Sequence, residues 1–178
     1  MAAAVAKGVE EWTSRSGVGQ TLRLKGPTSM LNASELPDRD ERALSNEGDA
    51  AGPTIMVIDD SLAVRRVVEA SFSRIGIPTT SFPDGLSAIS ALTKGEVTVP
   101  SLLLLDIVMP KMEGYEVARI LRTNQAFENT IIVMLTGREG VIDRLRSKMV
   151  GARDYIKKPF RVSQLVETVC GHLGLPSS

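Results

Sequence analysis

The feature that most constrains this chain is a rhythm beginning at Pro53, where short apolar runs alternate with segments of helical period. Residues 54–58 form a short, β-branched apolar run. Residues 61–75 then carry Val64, Val67, Val68, Phe72 and Ile75 at helical spacing, with Ser61 placed to cap the helix. The same alternation predicts a strand over 77–82, a helix over 84–93, a strand over 101–105 and a helix over 113–122. It continues with a strand over 130–135, a weaker helix over 141–150, a short strand over 154–156 and a last helix over 162–173. The runs within 101–105 and 130–135 are almost wholly apolar, as strands are when both faces of their sheet are covered. Five strands alternating with five helices define an α/β chain built on an open parallel sheet.

Residues 1–52 lack this rhythm. They are rich in Gly, Ser, Asn, Asp and Glu, and Trp12, Leu22, Leu24, Met30, Leu31 and Leu36 follow no period. A segment with so little to bury cannot offset its ordering entropy. A disordered N-terminal extension over 1–52 is therefore expected, with a helical turn over 5–12, followed by one domain over 53–174 and a short tail over 175–178. Across the chain 21 Lys and Arg balance 21 Asp and Glu, so no net charge draws it toward nucleic acid or an anionic membrane. Cys170 is the only cysteine, which excludes a disulfide framework and a cysteine-based zinc site and suits a cytoplasmic location. No apolar run approaches a membrane span, and Lys7, Gly8, Glu10 and Glu11 interrupt the Ala-rich start, so no secretory signal is expected.

In open parallel sheets, ligands bind beyond the carboxyl ends of the strands, where the strand order switches. The first predicted strand ends in Asp59 and Asp60, the third in Asp106 and the fourth in Thr136, and Lys158 and Pro159 follow the fifth. Singly, such an Asp is more often a turn or cap residue, such a Thr a turn hydroxyl and such a Lys a solvated cation. Together they have a chemistry. Three crowded carboxylates repel one another and need a cation to stay ionised. Mg²⁺ suits an all-oxygen site that combines one or two carboxylates with a phosphate. A carboxylate can act as nucleophile and become an aspartyl phosphate. Phosphoryl transfer then needs positioning and charge neutralisation, which one metal ion and Lys158 supply, with the Thr136 hydroxyl as a further donor.

With these residues the sequence resembles the receiver domains of two-component response regulators. The resemblance lies in Val57-Ile58-Asp59-Asp60-Ser61, in Leu105-Asp106-Ile107-Val108-Met109-Pro110, in Met134-Leu135-Thr136 and in Asp154-Tyr155-Ile156-Lys157-Lys158-Pro159-Phe160. It covers 53–174 and none of the extension. The stretch from Met134 to Gly140, with Val150-Gly151-Ala152, looks like single-domain regulators of the chemotaxis and twitching-motility type. The resemblance implies a flavodoxin-like fold with strand order 2-1-3-4-5. It implies that Asp106 is the phosphoacceptor, and that Mg²⁺ is held by Asp60 directly, by Asp59 mainly through water, by Asp106 and by the backbone carbonyl of Val108. Lys158, next to a cis proline bond, would pair with the phosphoryl oxygens. Thr136 and Tyr155 would form the switch pair, the hydroxyl moving toward the phosphoryl group and the ring turning into the space behind it.

The chain also departs from the family pattern. Glu113 stands where Asp is frequent, and its charge would still suit the start of the following helix. Gly137 stands where a small residue such as Ala is common. Val108 and Arg138 occupy the two positions that flank the phosphoryl group, and an apolar Val108 would keep out the hydrolytic water. The phosphoryl donor implied is a histidine kinase or a histidine phosphotransfer protein, because the one histidine here, His172, is far in sequence from the motifs. With four residues after the domain and no DNA-binding module, the expected output is protein–protein contact. The face of the predicted fourth helix, fifth strand and fifth helix is basic, which suits an acidic partner or a dimer mate; a solvated charged face weighs equally. Three rival readings remain on sequence alone. A Mg²⁺-dependent phosphohydrolase would want Asp at position 108. A flavin-binding protein would want a phosphate-cradling loop where Asp59 and Asp60 stand. A pseudo-receiver would bind partners without phosphorylation, against the presence of Asp106 and Lys158.

Overall fold

The structure is a computed structural model that describes residues 52–137 and 150–176. The elements are β1 (Ile55–Ile58), α1 (Leu62–Ser73), β2 (Thr79–Phe82), α2 (Gly85–Lys94), β3 (Leu102–Asp106) and α3 (Gly114–Arg122). A 3₁₀ turn (Gln125–Phe127) precedes β4 (Ile131–Thr136), β5 (Asp154–Lys157) and α4 (Val162–Leu173). The strands pair in parallel in the order β2-β1-β3-β4-β5, as expected. The helix count differs from the five predicted: four α-helices stand among the described residues. The remaining one, over 141–150, lies outside the described residues apart from Val150, which sits in a turn. The expected extension over 1–52 also lies outside them, all but Gly52.

The apolar runs become strands because both of their faces are covered. Met56, Ile58, Leu103, Leu105, Ile132 and Met134 point to one side and pack with Ile89, Leu92, Val117 and Leu121 of α2 and α3. Ile55, Val57, Leu102, Leu104, Val133 and Leu135 point to the other and pack with Val68 and Phe72 of α1 and Leu165 and Val169 of α4. Each such fully buried side chain is worth about 1.5–3 kcal/mol relative to exposure. The helices start where side chains can replace missing intrahelical bonds. The Val64 amide donates to Ser61 Oγ at 3.4 Å, and the Ser87 amide donates to Asp84 Oδ1 at 2.8 Å. At α3 Glu113 occupies the capping position without a side-chain capping bond. No helix among the described residues is long and apolar enough to cross a membrane.

The two ends of the sheet are built differently. At the amino end, side chains tie neighbouring segments together: the Thr54 amide donates to Ser101 Oγ at 3.2 Å, and Thr130 Oγ1 donates to the Pro100 carbonyl at 2.9 Å. Arg122, at the close of α3, donates to the carbonyls of Phe127 (2.5 Å), Thr130 (3.0 Å) and Gly151 (2.9 Å). At the carboxyl end the chain leaves β1 toward β2 on one side and reaches β3 on the other. The strand order therefore reverses between β1 and β3, and a crevice opens there.

Candidate functional site

Asp59, the residue after β1, and Asp106, the last of β3, lie on adjacent strands at this crevice, with Asp60 beside them. Carboxylate oxygens of the three lie within 4.8 Å of one another. Asp59 and Asp106 are buried and Asp60 is exposed. Lys158 enters from the loop after β5. Its Nζ is 2.6 Å from Asp59 Oδ2 and 2.8 Å from Asp106 Oδ2. The Lys158–Pro159 peptide is cis, as the motif led us to expect. The sequence therefore located all four charged residues, and the fold brings them together.

The electrostatics follow from this crowding. Burial raises the Asp59 carboxyl above its ordinary value; the Lys158 ammonium pulls it down and the Asp106 charge adds to the rise. Lys158 is opposed by burial as well, yet its two carboxylate partners outweigh that and hold its ammonium above the ordinary lysine value. One lysine set against three carboxylates leaves the cluster negative. Among the described residues, Asp59 Oδ2 has the Lys158 ammonium and no other partner. An all-oxygen, negatively charged crevice with one exposed carboxylate is chemically suited to a hard divalent cation.

The flanking residues are placed by two short connections. In the β1–α1 turn, the Ser61 amide donates to Asp59 Oδ1 at 2.9 Å. In the β3–α3 loop, the Val108 amide donates to Asp106 Oδ1 at 3.2 Å, while the Val108 side chain is exposed. Gly114 closes this loop against the strand: its amide donates to the Ile107 carbonyl, and a Cβ there would stand 2.1 Å from the Asp106 carbonyl oxygen. Lys111 sits in the same loop at φ 72°, a left-handed conformation unusual for a side chain with a Cβ. Thr136 is buried at the end of β4, one position beyond Leu135, the register partner of Asp106. Tyr155 stands on β5 with 40% of its surface exposed. Arg138 lies outside the described residues.

One residue of the site region was not singled out by sequence. Arg65 of α1 donates through Nη1 to the carbonyls of Asp59 (2.6 Å) and Asp60 (3.2 Å). A basic residue so near a helix amino terminus runs against the helix dipole, and that anomaly was visible in the sequence. Away from the crevice, at the amino end of the sheet, His172 of α4 lies 3.0 Å from Asp154 at the start of β5, a long-range pair with no sequence signature.

This arrangement of carboxylates and lysine stands at the switch point of a flavodoxin-like fold. The family model described as "Response regulator receiver domain" matches residues 55–170, and the chain belongs to that family. Protein PilG of Pseudomonas aeruginosa is 31% identical over 127 residues, which are 71% of this chain and 92% of PilG. The probable transcriptional regulator ycf27 of Porphyridium aerugineum is 40% identical over 111 residues, but this chain spans only 44% of its length. Among solved structures, the Vibrio cholerae chemotaxis protein CheY4 superposes with a TM-score of 0.62 at 27% identity, covering 67% of this chain and 97% of CheY4. The receiver domain of a sensor histidine kinase from Pseudomonas aeruginosa PAO1, solved with magnesium coordinated in its active-site cleft, gives 0.60 at 27% identity and covers 70% and 99%. The chain is thus a receiver of two-component signalling, of the chemotaxis and twitching type, and acts as a signalling phosphoacceptor.

Proposed function

We propose that Asp106 is the residue phosphorylated, in a reaction that the chain's own side chains assist, and that the whole domain over 53–174 serves this switch. The observation that carries the proposal is the ion pair between Lys158 Nζ and Asp106 Oδ2, made inside a cluster of three carboxylates. An Asp106 carboxylate oxygen attacks the phosphorus of a phosphohistidine on the donor protein. The new O–P bond forms as the N–P bond breaks, and that electron pair returns to the donor imidazole. Lys158 keeps its contact with Asp59 and offers its remaining protons to the phosphoryl oxygens. Thr136, at the end of the neighbouring strand, turns its hydroxyl to another of those oxygens. Asp59, Asp60, Asp106 and the carbonyl of Val108 are the groups that would hold Mg²⁺. When bound, Mg²⁺ supplies positive charge against the oxygens of the transferring group.

The readout we infer is the ring of Tyr155. Its present exposure supports a two-position residue, since movement of Thr136 toward the phosphoryl group vacates space that the ring can fill. The donor is a histidine kinase or phosphotransfer protein, and it has to present its imidazole beside Lys158. An apolar groove lined by Ala63, Val64, Val67, Pro159 and Phe160 lies there and supports a donor docked across α1. The basic face proposed for an acidic downstream partner or a dimer mate rests partly on residues outside those described.

The test is the intact mass of the protein after incubation with Mg²⁺ and acetyl phosphate. One added phosphoryl group, absent without Mg²⁺ and absent in Asp106→Asn, is the expected result. Equal uptake by Asp106→Asn would move the acceptor to another residue.

A further inference from the structure

We infer that Arg65 is a positioning residue for the cation site, an inference that rests on the metal-binding roles proposed above for Asp59 and Asp60. It stands four residues after the cap Ser61, in the amino-terminal part of α1, where a positive charge is unfavourable. Among the described residues it makes no ion pair, whereas its neighbour Arg66 pairs with Glu69 on the same helix. Its bonds go to two consecutive main-chain carbonyls, those of Asp59 and Asp60. A single guanidinium nitrogen that donates to both carbonyls fixes the orientation of two successive peptide planes. Those planes determine where the side chain between them points.

That side chain belongs to Asp60, which most needs outside help. Asp59 is held by the Ser61 amide and by Lys158. The Asp60 carboxylate has no hydrogen bond or ion pair of its own among the described residues and is exposed. Its direction toward Asp59 and Asp106 is therefore inherited from its backbone, and Arg65 is the side chain that holds this backbone. The carboxylates face one another despite their repulsion, which a free turn would relieve by swinging Asp60 outward.

Position and charge predict opposite outcomes, and this makes the inference testable. By charge alone, removing a cation beside a cation site tightens Mg²⁺ binding. By positioning, it weakens binding, because Asp60 leaves the cluster. We expect Arg65→Met in the full chain to bind Mg²⁺ about tenfold more weakly by calorimetry, the lower end for loss of a residue that orients a metal ligand. Its metal-free melting temperature is expected to stay close to that of the parent. Phosphoryl uptake from acetyl phosphate is expected to recover at saturating Mg²⁺. Arg65→Lys, which keeps the charge and one donor group, is expected between the two. Unchanged or tighter Mg²⁺ binding by Arg65→Met overturns the inference. If that variant does not fold, Arg65→Lys decides in the same way, weaker binding with parental melting supporting the inference and unchanged binding overturning it. If the parent chain takes up no Mg²⁺ at all, the metal-binding reading fails with it. If the parent binds and both variants bind equally well, the inference alone fails.

Discussion

The two connections that frame the crevice reach the same end by different means. The β1–α1 turn is held by side chains: Ser61 caps the helix, its amide binds Asp59, and Arg65 grips two carbonyls. The β3–α3 loop is held by shape. Its Ile107 amide reaches the Leu135 carbonyl of β4 and its Val108 amide the Asp106 carboxylate, but Glu113 makes no capping bond, Lys111 takes a left-handed conformation and Gly114 fits where no Cβ can. A turn with several holds keeps its fold when one is lost, although the side chain which that hold orients is released. A loop that depends on close approach fails at one position and varies freely at others. The turn carries Asp59 and Asp60 of the groups proposed to bind metal, and the loop carries Val108, whose carbonyl is proposed as another and whose side chain is exposed next to the proposed acceptor.

The sharpest way to break this comparison is Gly114→Ala. The added methyl meets the Asp106 carbonyl at 2.1 Å, so the loop or the strand end has to shift. Overpacking of this kind costs about 1–3 kcal/mol, and we expect the upper end of that range in urea unfolding, together with slower phosphoryl uptake. Next in size is Val108→Asn. The exposed isopropyl group offers no hydrogen bond to an attacking water, whereas a carboxamide does. Loss of the phosphoryl group, followed by mass after donor removal, is expected to quicken roughly tenfold, or about 1.4 kcal/mol of barrier. An unchanged lifetime would mean that this loop position does not tune the chemistry.

Asp59→Asn probes the turn through charge. Burial raises the Asp59 carboxyl above its ordinary value of 3.8, so its ionisation opposes folding. The stability linked to this group is present below its unfolded value and is lost as pH rises through the raised folded value. In metal-free buffer the variant is therefore expected to have a higher urea midpoint than the parent at about pH 7, and to lose that margin as pH falls toward about 4. The smallest effect is Lys111→Gly, which removes a Cβ from a left-handed residue and is expected to stabilise by about 1 kcal/mol at most, read by thermal melting.

The fold was legible because burial on both faces writes β1, β3 and β4 as apolar runs, and because Ser61 and Asp84 mark helix starts. Strand boundaries moved by a residue or two for local reasons. Pro78, which has no amide to donate, stays outside β2 although its carbonyl accepts from Ile55. At the site, Asp59, Asp60, Asp106 and Lys158 were legible because the topology puts strand ends together. Arg65 showed only as a basic residue near a helix amino terminus; its partners are main-chain carbonyls, which every residue carries and no sequence distinguishes. The pairing of His172 with Asp154 joins two elements whose contact depends on how α4 packs, and nothing local announces it.

The Arg122 clamp has a consequence for anything joined to the front of this domain. By gathering carbonyls from the 3₁₀ turn, the start of β4 and the approach to β5, it ties together the segments that enter β4 and β5 at the amino end of the sheet. Residue 52 joins the domain at that end, the length of a strand, roughly 15 Å, from the acidic crevice. A passenger covalently hitched there stands at the end of the sheet away from the acidic crevice. Its anchor point lies on the rim opposite the proposed phosphoryl site.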